Sequence, residues 1–182
     1  MQIAVIGRGN VGGGLAERWR RAGHEVIEIG REDGDVVAAD AVLLAVPSGE
    51  IENALRSVAG IENKTVVDAT NHLRGERPPF ESLAHQVKSI TGGPVAKAFN
   101  LNFAAIYDEI DGQATTPSLA YCGDEEARAV TEQLIRDAGY EPANAGDLGS
   151  ARALEDGLAL LFAISGGSGG PFFYRVWRPG EA

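Results

Sequence analysis

Cysteine is nearly absent from this chain: Cys122 is the only one in 182 residues. A single cysteine excludes an intrachain disulfide framework and a cysteine-based zinc cluster. Its place in the apolar run Leu119-Ala120-Tyr121-Cys122 marks it as a buried strand thiol rather than a nucleophile. Basic residues are in deficit, with 16 Lys and Arg against 26 Asp and Glu, a formal net charge of −10. Nucleic-acid binding needs a basic face to neutralise phosphates, so that class is excluded. No apolar run reaches the roughly 18 residues needed to cross a membrane. Residue 1 leads straight into an apolar segment, without the basic stretch and cleavage site of a secretory leader. A cytoplasmic, reducing location is therefore expected, with no membrane partner and no bound metal.

Proline, at 8, is also modest, and hydrophobic residues make up 44% of the chain. That composition argues for a folded core over disorder and for about one domain. Glycine is what the chain has in excess: 24 in 182, roughly twice the average usage of about 7%. These glycines show no three-residue period, so a collagen-like repeat is excluded. They imply places where backbone packs closely on something.

The first half alternates short apolar runs with helical stripes. Gln2–Ile6 reads as a strand, residues 11–22 as a helix with Val11, Leu15, Trp19 and Ala22 on one stripe, and Glu25–Ile29 as a second strand. Residues 41–46 (AVLLAV) are nearly all apolar, as a strand buried on both faces should be. Helices are expected over 51–58 and 79–89, with strands over 65–68 and 94–99. The interval 30–40 is too short for a full crossover, so a reduced third strand is expected there. Strands are further expected over 118–122 and 141–144, with helices over 125–138, N-capped by Asp124, and 148–164. Strands separated by helices mean βαβ units and a parallel sheet. The fold class is α/β: a Rossmann-like, doubly wound, mostly parallel sheet with a small C-terminal α/β extension, in a single compact unit. Residues 1–115 are expected to form the nucleotide-binding domain and 116–182 the portion that completes the cleft.

The chemistry lies in Ile3-Ala4-Val5-Ile6-Gly7-Arg8-Gly9-Asn10-Val11-Gly12, a strand, then G-x-G-x-x-G, then a helix. That context makes the motif a dinucleotide fingerprint. Gly7 permits the tight turn, Gly9 lets a pyrophosphate approach bare backbone, and Gly12 lets helix and strand lie close. The helix N-terminus supplies free N–H groups and partial positive charge. An NAD enzyme usually places an acid at the end of the second strand for the ribose 2′-hydroxyl. Here Gly30 and Arg31 stand at that end, and Glu28 comes two residues early. An arginine pairs with a 2′-phosphate as a fork, so NADP(H) is the expected cofactor. Arg8 either adds a second positive charge or points to solvent. Arg18, Arg20 and Arg21 read as a solvated helix face.

Ligands of open α/β sheets bind at the carboxyl ends of the strands. Those ends are Ala45-Val46-Pro47-Ser48 and Asp68-Ala69-Thr70-Asn71, small groups suited to a flat nicotinamide wall with Asn71 as an amide partner. No strong acid–base constellation stands out. His72 and Lys97 are the two weak candidates for a proton carrier. Hydride transfer between two redox cofactors needs positioning more than a strong general acid.

The segments IAVIGRGNVGGGLA, HEVIEIGR, DAVLLAVP, KTVVDATNHL and VAKAFNLN resemble the coenzyme F420-dependent NADP oxidoreductases, and the resemblance continues through YCGDEEARAVTEQLIRDAGYEPANAGDLGSARALE. It implies an NADP(H)-dependent oxidoreductase that passes hydride between the nicotinamide and a flat acceptor such as coenzyme F420 or a flavin. By resemblance, Gly7, Gly9, Asn10, Val11 and Gly12 hold the pyrophosphate, and Gly30 and Arg31 meet the 2′-phosphate. Ala45, Val46, Pro47, Ala69 and Asn71 line the nicotinamide, and Ala98, Phe99 and Asn100 lie in the substrate cleft. The chain departs from the family in a shorter stretch after the second strand and in Gly30 where a serine is common. The longer hydroxyacid dehydrogenases share the first half of the pattern but need a large helical domain, for which too little chain follows Asn100.

Two other readings fit the thin catalytic inventory: a nucleotide-binding regulatory or redox-sensing protein without turnover, and a reductase of a small ketone or imine using His72 or Lys97. A homodimer is expected, with Phe172, Phe173, Tyr174 and Trp177 as a candidate interface or as packing on their own sheet. The GGSGG segment at 166–170 is a candidate flap over the acceptor.

Overall fold

The computed structural model describes residues 1–31, 34–73, 78–177 and 179–180. In chain order the elements are β1 (Gln2–Ile6), α1 (Asn10–Arg21), β2 (Glu25–Ile29), β3 (Gly34–Asp35), β4 (Ala41–Leu44), α2 (Ile51–Arg56), β5 (Val58–Ala59) and β6 (Val66–Asp68). There follow α3 (Leu83–Thr91), β7 (Val95–Lys97), a 3₁₀ segment (Ala104–Gly112), β8 (Ser118–Gly123), α4 (Glu125–Asp137), β9 (Glu141–Asn144) and α5 (Ala151–Ser168).

Among the described residues, seven strands form one sheet in the order β2-β1-β4-β6-β7-β8-β9. Every neighbouring pair is parallel except β7 with β8. The chain order reverses between β1 and β4, and that reversal creates the crevice where open α/β sheets take their ligands.

Two hydrophobic layers cover the sheet, and the period of two along each strand decides which residue serves which layer. Ala4, Ile6, Val42, Leu44 and Val66 face Ile51 and Leu55 of α2, Leu83 and Val87 of α3, and Leu154 of α5. Ile3, Val5, Ala41, Leu43 and Val67 face Leu15 and Trp19 of α1 and Leu134 and Ile135 of α4. Burial on both faces explains why these strands are apolar throughout. Trp19 is fully buried and donates its indole N–H to the Leu134 carbonyl at 2.8 Å.

The reduced third strand takes an unexpected place. Gly34–Asp35 pairs with Val58–Ala59 in a separate parallel ribbon and does not extend the main sheet beyond β2. Its pairing also ends α2 at Arg56, so Val58 belongs to a strand. The helix expected from residue 79 begins at Leu83, where the Ser82 hydroxyl accepts from the His85 N–H.

Asp124 stands at the N-cap position of α4, but its side chain makes no capping bond. Its carboxylate instead accepts from Lys88 Nζ at 2.6 Å and from the Val95 N–H at 2.8 Å. Arg18 also departs from expectation. It is buried, and its guanidinium reaches the Ala138 carbonyl at 2.6 Å, the Tyr107 carbonyl at 2.8 Å and the Asp111 carboxylate at 2.5 Å. It ties α1 to the 3₁₀ segment and to the end of α4. Cys122 is a free, fully buried thiol, and loss of water around it pushes its pKa up to about 12.

The extended segment around Tyr174, after α5, runs beside β8. The Tyr174 carbonyl accepts from the Ser118 N–H at 2.8 Å, and its hydroxyl accepts from the Ala120 N–H at 2.9 Å. Phe173 packs on the layer that holds α1 and α4, and Phe172 packs on Phe103 with ring centroids 5.4 Å apart. Phe173 and Tyr174 therefore pack on their own sheet, while Trp177 stays exposed. Residues 166–168 of the glycine-rich segment continue α5, which closes at Gly169 in the left-handed conformation.

Candidate functional site

Backbone hydrogen bonds step across the carboxyl ends of four strands. The Ala45 N–H donates to Ile6 O at 2.8 Å, Ala69 N–H to Leu44 O at 2.9 Å, and Ala98 N–H to Asp68 O at 3.1 Å. These bonds bring the ends of β1, β4, β6 and β7 into one row, so the turns that follow them line one edge.

The glycine loop occupies the start of that row. Gly7 has a φ of +107°, and a Cβ there would stand 2.2 Å from the Ala45 carbonyl oxygen. A Cβ on Gly12 would stand 1.9 Å from the Gly7 carbonyl oxygen. Both contacts demand glycine. Gly9 differs, because nothing lies within 4 Å of where its Cβ would be. It is the N-cap of α1, in extended conformation, with no side-chain cap and no acid in the first turn. The N–H groups of a first helical turn have no intrahelical acceptors. Asn10 and Val11 begin this turn, so α1 offers donors and the positive end of its dipole beside an open, side-chain-free space.

The end of β2 is fixed to this loop by the Gly7 N–H, which donates to Ile29 O at 2.9 Å. Gly30 follows, half-buried, and Arg31 is exposed. Glu28, the nearest acid of β2, is held by Arg20 at 2.8 Å. Arg8 is exposed on the loop.

On the far side, Ala45 and Val46 are half-buried and Pro47 is exposed. Ala69 is buried; Asn71 and His72 are half-buried. Asn71 and Asn100 form a reciprocal pair: Asn71 Nδ2 donates to the Asn100 carbonyl at 2.7 Å, and Asn100 Nδ2 donates to Asn71 Oδ1 at 3.1 Å. Asn100 Nδ2 also reaches the Leu154 carbonyl of α5 at 3.1 Å. Ala98, Phe99 and Asn100 are all buried. Phe99 has a φ of +62°, in the left-handed region that non-glycine residues seldom adopt. Its ring meets Trp19 edge-on at 5.7 Å, and that packing holds the strained backbone in place.

Lys97 is enclosed, with no exposed surface. Its ammonium donates to Asp68 Oδ2 at 2.8 Å and to the Thr70 carbonyl at 2.6 Å, and lies 3.2 Å from Glu155 Oε1. Two hydrogen bonds and one ion pair therefore hold the ammonium. Two buried oxygens on the same row, Thr70 Oγ1 and Asn100 Oδ1, have no hydrogen-bond partner among the described residues. An orphaned buried polar atom is costly unless something completes it. The open space over Gly9, the uncapped α1 and these two orphaned oxygens together fit a bound dinucleotide.

Sequence reasoning placed most of this row but missed Thr70 as a polar group, and missed Asp68 and Glu155 as the partners of Lys97. It also missed Tyr107, which lies over α1 so closely that a Cβ on Gly14 would stand 2.7 Å from its ring. Burial pushes the Tyr107 hydroxyl well above its ordinary pKa. Among the described residues, no group of three or more His, Cys, Asp or Glu could hold a metal ion. No helix of the described residues is long and apolar enough to cross a membrane.

Residues 2–38 match the family described as NADP oxidoreductase, coenzyme F420-dependent. That span covers β1, the glycine loop, α1, β2 and Arg31. No curated protein matches the chain. Among solved structures, the chain is similar to a candidate F420-dependent NADP-reductase from Arthrobacter sp. FB24, with a TM-score of 0.81 and 23% identity over 98% of this chain and 100% of that one. It is also similar to the hypothetical protein SMa0349 from Sinorhizobium meliloti, with a TM-score of 0.67 and 26% identity over 83% of this chain and 88% of that one. A reductive aminase from Aspergillus terreus, solved with NADPH and ethyl levulinate, gives a TM-score of 0.66 at 18% identity; 92% of this chain is covered but only 62% of the aminase. These likenesses establish the Rossmann-like α/β fold across nearly the whole chain.

Proposed function

We propose that this protein is an NADP(H)-dependent oxidoreductase that exchanges hydride between the nicotinamide and a flat redox acceptor, coenzyme F420 or a flavin. The observation that carries the reading is the junction of the uncapped α1 N-terminus, open over Gly9, with a β2 that ends in Gly30 and exposed Arg31. Gly7, Gly9, Asn10, Val11 and Gly12 would hold the pyrophosphate through backbone N–H groups. Arg31 would form charge-assisted bonds to the 2′-phosphate, with Arg8 as a second cation on the loop. Glu28 does not oppose this, because its charge is offset by Arg20.

Ala45, Val46, Pro47, Ala69 and Asn71 would form the nicotinamide wall, with Ala98, Phe99 and Asn100 as the floor of the acceptor cleft. Bound NADP(H) supplies or accepts the hydride. The chain's own part is to orient and to exclude water: the Asn71–Asn100 pair fixes the wall, and Phe99 fixes the floor. The enclosure of Lys97 supports hydride exchange between flat rings over reduction of a ketone or imine, because its ammonium is fully buried and held by Asp68, Thr70 and Glu155 rather than presented to a substrate. Of the two candidate proton carriers, His72 remains, half-buried at the edge. The family match at residues 2–38 supports the NADP half of the reading more directly than the acceptor half.

We place the protein in the cytoplasm as a homodimer, residues 1–115 binding the nucleotide and 116–182 completing the cleft. The dimer surface we favour is the outer half of α5, where Leu160 and Ile164, one turn apart on the same face, are 63% and 43% exposed. Adjacent exposed apolar side chains of this size mark interaction surfaces. Leu160→Asp should shift the protein to monomer in light scattering.

The function is tested by absorbance at 340 nm. NADPH oxidation is expected only when F420 or a flavin is added. Tight NADPH binding with no turnover on F420, flavins or ferric chelates would favour a redox-sensing role instead.

A further inference from the structure

We propose that Lys97, together with Asp68 and Glu155, is a positioning centre for the turn that forms the nicotinamide wall, and that it makes the placement of that turn depend on α5. The proposal rests on the dinucleotide reading above.

The cluster is closed to water. The side chains of Lys97 and Asp68 are fully buried, and that of Glu155 is 3% exposed. Asp68 is the last residue of β6, Lys97 the last of β7, and Glu155 lies in the inner half of α5. Thr70, in the turn after β6, is gripped at both ends of its backbone by this cluster. Its N–H donates to Asp68 Oδ1 at 2.8 Å, and its carbonyl accepts from Lys97 Nζ at 2.6 Å. Glu155 Oε1 faces Lys97 and also accepts from the Leu83 N–H, at 2.8 Å, at the start of α3.

A second connection runs parallel to the first. Asn100 bonds both Asn71, the next residue of the turn, and the carbonyl of Leu154, the residue before Glu155. Consecutive residues of the turn, Thr70 and Asn71, are thereby tied to consecutive residues of α5. One tie is ionic and the other is amide.

Stability alone does not account for the ionic tie. Removing two carboxylates and an ammonium from water is costly, and apolar side chains of similar volume often serve as well or better in such places. What charged groups supply that apolar ones do not is direction: each hydrogen bond fixes one backbone atom of the turn. The atom thereby presented is Thr70 Oγ1, buried and without a partner among the described residues. Fully buried and held by these three partners, Lys97 acts through Thr70 and not on a substrate.

The test compares two ligands on the full-length protein. NADPH spans the whole site, whereas adenosine 2′,5′-bisphosphate carries only the adenosine half and never reaches the turn. In Lys97→Met, the Kd for NADPH is expected to rise about tenfold, while that for adenosine 2′,5′-bisphosphate stays within about twofold. Glu155→Gln keeps an acceptor for Leu83 and removes only one charge. It should move the NADPH value in the same direction by about threefold, and it serves if Lys97→Met does not fold, as judged by its melting temperature. Equal losses for both ligands, or unchanged NADPH binding in a folded variant, would overturn the positioning role. If the unsubstituted protein binds neither ligand, the dinucleotide reading fails first and the proposal falls with it.

Discussion

Two glycine-rich segments of this chain have similar composition and opposite physics. In the first loop, Cβ atoms on Gly7 and Gly12 would collide with carbonyl oxygens at 2.2 Å and 1.9 Å. At the end of α5, nothing lies within 4 Å of the positions a Cβ would take on Gly166, Gly167, Gly169 or Gly170. The first set is demanded by close packing around a helix N-terminus. The second set demands glycine only at Gly169, where the helix closes in a left-handed turn, and at Gly170, whose φ of +155° also disfavours a side chain. Gly9 combines the two situations. It is open like the α5 glycines, yet it sits where a ligand's phosphates would approach. Composition identifies a glycine surplus; only the surroundings say whether the missing Cβ makes room for the protein, for a ligand, or for nothing.

Substitutions can break this comparison. The largest effect is expected from Gly12→Ala, which forces the loop away from α1 and should cost about 3 kcal/mol of stability, read by chemical denaturation, with loss of NADPH binding. Retention of wild-type stability would mean that the tight contact is not real. Arg31→Ala comes next. Arg31 is exposed, so melting should be unchanged, while NADPH binding weakens by about 1.5–3 kcal/mol and NADH binding holds. Gly9→Ala should separate folding from binding most cleanly: stability within about 0.5 kcal/mol of the parent, and NADPH affinity lower by about tenfold, or about 1.4 kcal/mol. At the small end, Gly166→Ala and Gly167→Ala should each raise stability by about 0.5–1 kcal/mol, because helical glycine costs backbone entropy. Neither should alter NADPH affinity.

The parts of the molecule legible in the sequence are those whose causes are local. The strand–glycine loop–helix unit depends on neighbours within a dozen residues, so Gly7, Gly9 and Gly12 could be assigned from their spacing. Arg31 could be placed because β2 is short and ends cleanly at Ile29. The order of strands and helices followed from apolar periodicity.

What sequence left hidden depends on distant partners. Arg18 reads as a solvated helix residue, yet it bonds a carbonyl 120 residues away. Asp124 has the sequence of an N-cap, but Lys88 and the Val95 N–H claim its carboxylate from another layer. Lys97 reads as a free amine near a cleft, and its partner Glu155 carries no signal at all inside an ordinary amphipathic helix. The third strand was foreseen as reduced, but its departure from the main sheet depended on Val58 and Ala59 being available to pair with it.

The central claim is that the β1–α1–β2 unit selects the 2′-phosphorylated dinucleotide. It is tested most directly by titrating the unmodified protein with NADPH and with NADH and comparing the two dissociation constants. NADPH is expected to bind at least about tenfold more tightly, the worth of a single charge-assisted pair to the 2′-phosphate. Equal affinity for the two nucleotides, or tighter binding of NADH, would contradict the role assigned to Gly30 and Arg31.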